Sequence, residues 1–140
     1  IRQGGESTVQ SYERHEDGVR SKHLDLLKKA PFYYIDKKNR LFVHGGLTVG
    51  VPIEEQDPTF LMWDRDLVNE DANVPEYKEV YIGHTTVWRR NGGLPVRYGN
   101  VVCMDTGGGY EGKLSIMNVD SGEVFQSDLV EDLYPGFHGR

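Results

Sequence analysis

The sequence predicts an α/β fold (α+β in the order of its elements), organised as one partial domain over residues 1–140. Three observations point there. Short apolar runs stop abruptly in turns, and the 17 glycines cluster in those turns rather than in a repeat. Two other stretches, opening at Ser21 and at Asp57, carry helix-start signals. Two of the apolar runs end on or next to a histidine: Leu41-Phe42-Val43-His44-Gly45-Gly46 and Val80-Tyr81-Ile82-Gly83-His84-Thr85. The histidines are 84 − 44 = 40 residues apart. An imidazole at a strand end, followed by a glycine turn, lies where α/β proteins gather ligands and chemistry.

Residues 1–20 are polar, with Val9, Tyr12 and Val19 as scattered apolar points, and predict a loop with a short helix around Thr8–Tyr12. Ser21 can cap a helix whose apolar face is Leu24, Leu26 and Leu27. Lys28 and Lys29 suit the negative end of its dipole, and Pro31 stops it. His23 on that helix is a surface residue. Phe32–Ile35 is a strand by composition, Asp36-Lys37-Lys38-Asn39 a turn, and Arg40–His44 the returning strand of an antiparallel hairpin.

A loop with Pro52 and the acidic run Glu54-Glu55-Gln56-Asp57 follows. Asp57 as cap and Pro58 at the first helical position open a second helix, continuing through Phe60, Leu61, Trp63, Arg65 and Leu67. Trp63 and the leucines are expected to pack inward. Asn69–Lys78 is a polar connection and Val80–Ile82 a strand. Asn91-Gly92-Gly93 marks a turn. Strands are expected at Asn100–Asp105, Lys113–Val119 and Glu123–Gln126, the last two joined by the hairpin turn Asp120-Ser121-Gly122. The tail from Tyr134 has no regular pattern, and His138 within it reads as solvent-exposed.

The net charge of −6 argues against a nucleic-acid partner, because phosphate backbones are bound by basic surfaces. The single cysteine, Cys103, lies in an apolar run and reads as a small buried hydrophobe. With no partner for a disulfide, with no signal peptide and with no apolar stretch near the roughly 20 residues that span a bilayer, a cytoplasmic setting is expected, with no membrane partner. The chain starts at Ile1 rather than methionine and is expected to be a fragment.

Imidazoles on rigid strand ends suit Zn, Mn or Fe, and two in matching strand–glycine contexts look like part of a metal site. A lone strand-end histidine is also a common structural residue, so both readings stand on the residues alone. Asp105 is the one carboxylate at a comparable strand end. Two histidines do not close a metal site, and the remaining ligands are expected outside these residues.

In order along the chain, Phe42-Val43-His44-Gly45-Gly46-Leu47, Met62-Trp63-Asp64-Arg65, Tyr81-Ile82-Gly83-His84-Thr85 and Asp105-Thr106-Gly107 resemble the C-terminal half of a phosphoprotein phosphatase. This is the bacterial and phage branch of the calcineurin-like metallophosphoesterase superfamily. Gly4-Gly5, Thr8 and Ser11-Tyr12 resemble the segment just before that family's mid-chain helices. The resemblance implies half of a β-sandwich flanked by helices. It also implies a site for two divalent metal ions, manganese first, with iron or zinc as the other candidates. In such enzymes a metal-bridged hydroxide attacks phosphorus in line, without a phosphoenzyme. His44 and His84 would ligate the second metal, and Arg65 would clamp the phosphate; the competing reading of Arg65 is a helix-surface ion pair with Asp64 or Asp66.

The family's Gly-Asp-x-His-Gly, Gly-Asp-x-x-Asp-Arg-Gly and Gly-Asn-His-Glu motifs are absent. The chain alone is therefore expected to be inactive, with the parent protein the enzyme. Its substrate would be a phosphorylated protein or a small phosphoester. Two alternatives are a symmetrical dinucleoside tetraphosphate hydrolase and a non-catalytic phosphatase-like binding module. Half a sandwich would expose a sheet edge, through which a dimer can form.

Overall fold

The computed structural model describes residues 5–13, 15 and 18–136; the expectations for Gly4 and His138 lie outside them. The chain divides into two compact units, one up to Pro31 and one from Phe32 onward. The first holds α1 (Gly5–Tyr12) and α2 (Val19–Lys29). The first helix starts three residues before the expected Thr8. The second does not use Ser21 as its cap. Gly18, with φ 94°, turns the chain into the helix without a side-chain cap, so Ser21 falls inside the first turn. At the other end Ala30 is extended before Pro31, as a residue preceding proline should be. His23 is exposed and shares a 2.9 Å hydrogen bond with the Tyr12 hydroxyl.

The second unit is built on a mixed sheet. Its strands are β1 (Tyr33–Ile35), β2 (Arg40–Val43), β3 (Glu79–Ile82), β4 (Val96–Tyr98) and β5 (Val101–Cys103), in the spatial order β1-β2-β3-β5-β4. The expected hairpin β1–β2 is antiparallel, with Tyr34 opposite Phe42. β2, β3 and β5 run parallel, so their C-terminal ends share one edge. The strand β4 was not anticipated: three residues behind Pro95 are too short to show alternation, and β4 is defined by antiparallel pairing with β5.

The middle strands are apolar on both faces, as parallel strands usually are. Leu41, Val43, Val80, Ile82, Val101 and Cys103 join Leu47, Leu61, Leu67, Val74 and Val87 in the core. Burial there pushes the Cys103 thiol up to about 11, which leaves it inert at neutral pH. On the opposite face Phe42 stacks on Tyr81, with centroids 4.9 Å apart.

α3 (Pro58–Trp63) connects β2 to β3, and its N-terminus is as expected: the Asp57 carboxylate accepts from the Thr59 N–H at 2.7 Å, with Pro58 in the first turn. The helix is shorter than expected. Asp64 is extended and ends it, so Arg65 and Leu67 lie beyond it. Leu61 and Leu67 are buried, but Trp63 is 50% exposed and does not enter the core. A ribbon of β6 (Ser115–Met117) and β7 (Val124–Gln126) forms the second sheet, and α4 (Val130–Leu133), too short to show a helical period, follows it.

The ribbon's turn is tied to β2 by charge. The Arg40 guanidinium donates to Asp36 and to Asp120 at 2.6 Å each and to the Val119 carbonyl at 2.8 Å. For Asp36, burial pushes the carboxyl up, but hydrogen bonds from Arg40 and the Lys38 N–H outweigh it, and its pKa falls below the ordinary value. Hydrogen bonds from Lys38 and Arg40 lower Asp120 as well. A carboxyl lowered in the folded state stabilises above its unfolded pKa, and that contribution is lost as pH falls through the folded value. Thermal melts between about pH 5 and pH 2 should therefore show Tm falling more steeply for the native chain than for Asp36→Asn. Equal slopes would remove the cluster from the acid response.

Candidate metal and phosphate site

The parallel register decides what meets at the sheet edge. Phe42 pairs with Tyr81, so His44 comes level with Gly83, whose N–H donates to the His44 carbonyl at 2.9 Å. His84 follows at once. The rings of His44 and His84 lie 5.1 Å apart between centroids, at 61°. The next parallel strand, β5, leads to Met104 and Asp105 at the same edge. The two sequence-predicted histidines are thus brought together.

His84 has φ 59°, in the left-handed region that a residue with a Cβ rarely occupies. Such strain, typically about 1–3 kcal/mol, persists only where the surroundings impose it. The Trp63 ring meets the His84 ring edge-on, at 5.2 Å and 89°. The Nε2 of His84 is buried and has no hydrogen-bond partner among the described residues. A buried unpartnered nitrogen carries a desolvation cost that a ligand at that atom would relieve. Burial lowers the His84 pKa; the positive charge of Arg65 and the neighbouring His44 push the same way, and Asp105 opposes them. The imidazole therefore favours its neutral form, which is the form that ligates metals.

Arg65 is exposed and does not pair with Asp64 or Asp66 among the described residues; its guanidinium makes a long 3.4 Å hydrogen bond to the Thr85 hydroxyl. The helix-surface ion pair fails because α3 has already ended, and the extended Asp64 carries Arg65 toward the loop after β3. Gly45 makes this approach possible. Its N–H donates to the Leu61 carbonyl at 2.7 Å, and a Cβ there would sit 2.7 Å from Trp63 N and 2.8 Å from Met62 C. Only glycine allows the end of α3 to lie so close against the end of β2.

Asp105 caps its own loop by accepting from the Gly107 N–H at 2.9 Å. No group of three or more His, Cys, Asp or Glu able to hold a metal occurs among the described residues. His44 and His84 fit as two ligands of a larger set. Trp63 and Thr85 are the site neighbours that sequence reasoning did not single out. Trp63 sits inside the quoted Met-Trp-Asp-Arg motif, but its orientation depends on where α3 stops. No protein-family model matches the chain, and no curated protein matches it at a significant level.

Proposed function

We propose that this chain supplies the second-metal and phosphate-binding side of a metal-dependent phosphoester hydrolase of the phosphoprotein phosphatase type, as the C-terminal half of a calcineurin-like domain. The observation that carries this reading is the buried, unpartnered Nε2 of His84, held in a left-handed backbone beside His44 and within the electrostatic reach of Arg65. His44 and His84 would hold one divalent ion, manganese first, with iron or zinc as candidates. Most ligands of a two-metal site would come from residues outside this chain. Metal ions bound there would supply Lewis acidity toward the phosphoryl oxygens and a strong nucleophile at neutral pH.

The chain's own residues hold and orient. Arg65 offers a planar fork of donors that matches two phosphate oxygens. With a net charge of −6, the molecule needs such local positive charge to attract an anion. The substrate class is a phosphorylated protein or a small phosphoester, and the setting is cytoplasmic. No helix among the described residues is long and apolar enough to cross a membrane.

Manganese-dependent hydrolysis of p-nitrophenyl phosphate tests the split site. This chain alone should show no turnover. Activity should appear when a segment bearing the Gly-Asp-x-His-Gly, Gly-Asp-x-x-Asp-Arg-Gly and Gly-Asn-His-Glu motifs is supplied. Full turnover from the chain alone, or none from the combination, would overturn the assignment.

A further inference from the structure

A cleft of about 490 Å³ opens beside the histidine pair, between the loop that follows β2 and the connection that follows α3. Leu47, Phe60 and Leu67 give it an apolar wall, and Asp64, Asp66 and Asp71 an acidic one. We propose that this cleft is the subsite for the group joined to the phosphate, and that it takes an arginine or lysine side chain flanking a phosphorylated residue of a peptide. The proposal rests on the phosphoesterase reading above.

Position is the first reason. Leu47 follows His44-Gly45-Gly46 directly, and Asp64 directly precedes Arg65. A substrate whose phosphate lies at the histidines and Arg65 therefore meets the cleft with its adjoining residues. The Asp64 carboxylate also packs against Gly46, which joins the cleft wall to the site's glycine turn.

Chemistry is the second. No lysine, arginine or histidine lines the cleft, and none of its three aspartates forms an ion pair among the described residues. An apolar wall facing carboxylates suits a long aliphatic stem that ends in a cation. A dinucleoside tetraphosphate would instead bring several negative charges against these carboxylates, so the same cleft selects against the dinucleotide alternative.

Shape is the third. The buried Gln56 uses its whole amide to fix the cleft wall. Its Oε1 accepts from the Thr48 N–H at 2.9 Å, and its Nε2 donates to the Thr48 and Val51 carbonyls at 2.8 Å each. Gln56 directly precedes the Asp57 cap of α3, the helix that carries Phe60, so one residue ties both apolar walls together. A wall fixed before binding reduces the ordering cost of taking up a ligand.

The test uses the isotope-labelled chain and four peptides of one length, with arginine or glutamate next to a serine that is or is not phosphorylated. Both arginine peptides should shift the backbone amides of Thr48, Val49, Phe60 and Leu67, and the glutamate peptides should not. Asp66→Asn together with Asp71→Asn should weaken arginine-peptide binding about threefold to tenfold. Amides at His44–Gly46 and Thr85 should respond only to the phosphorylated pair. Cleft amides that ignore arginine, or answer equally to glutamate, would overturn the subsite. A cleft response with no phosphate response would instead overturn the phosphoesterase reading and leave the cationic preference of the cleft standing.

Discussion

Gly45→Ala should destabilise the unit from Phe32 onward by about 3 kcal/mol, the upper range for forcing atoms into a packed interior, and lower its Tm on the order of 10 °C. The added Cβ would meet Trp63 N at 2.7 Å, Met62 C at 2.8 Å and Asp64 N at 2.9 Å. All three are backbone atoms and cannot swing away as a side-chain tip could. Relief requires the end of α3 to lift from β2, which breaks the hydrogen bond from Gly45 to Leu61 and carries Trp63 and Arg65 away from the histidines. Gly83→Ala is the control. Its Cβ would lie 3.6 Å from the His44 carbonyl oxygen and 3.7 Å from Nδ1, ordinary contacts, so its cost should stay within about 1 kcal/mol. Thermal melts of both variants check the contrast. Equal stability would mean that the close approach of α3 is not what Gly45 provides.

His44→Ala and His84→Gly should each reduce manganese affinity about tenfold or more, since even groups that only orient ligands contribute tenfold to a hundredfold. The choice of residue keeps loss of fold from imitating loss of a ligand. His44 is exposed, so truncation leaves no core cavity. Glycine at position 84 takes the φ of 59° without strain, whereas alanine would retain it. Isothermal titration with manganese, run beside a thermal melt of each variant, reads both quantities. Unchanged affinity in folded variants would remove these residues from the metal site.

The sheet edge was legible because its signals are local. An apolar run ending at histidine and glycine announces a strand end, and Asp57-Pro58 announces a helix start; both hold in the structure. Signals that depend on partners were not legible. β4 exists because β5 pairs with it, and nothing in Val96-Arg97-Tyr98 alone distinguishes it from loop. Trp63 looked like core because it follows Leu61 on a helical pattern. The pattern ended with the helix, and the ring turned to His84 instead. Ser21 lost the cap to Gly18, whose left-handed φ starts α2 earlier. Gln56 looked like one residue of a solvated acidic run, yet it is buried and bound to the loop behind His44. The pairing of His44 with His84 was anticipated from their matching contexts. Their 5.1 Å separation follows from the parallel register of β2 and β3, which no single stretch of sequence encodes.

Paramagnetic relaxation by manganese tests the proposed site most directly. At substoichiometric Mn²⁺, the imidazole carbon-bound proton resonances of His44 and His84 should broaden together, ahead of those of His23. Inorganic phosphate added afterwards should perturb the Arg65 side-chain signals only when the metal is present. Broadening spread evenly over all histidines, or confined to the carboxylates of the neighbouring cleft, would contradict a metal site at the ends of β2 and β3.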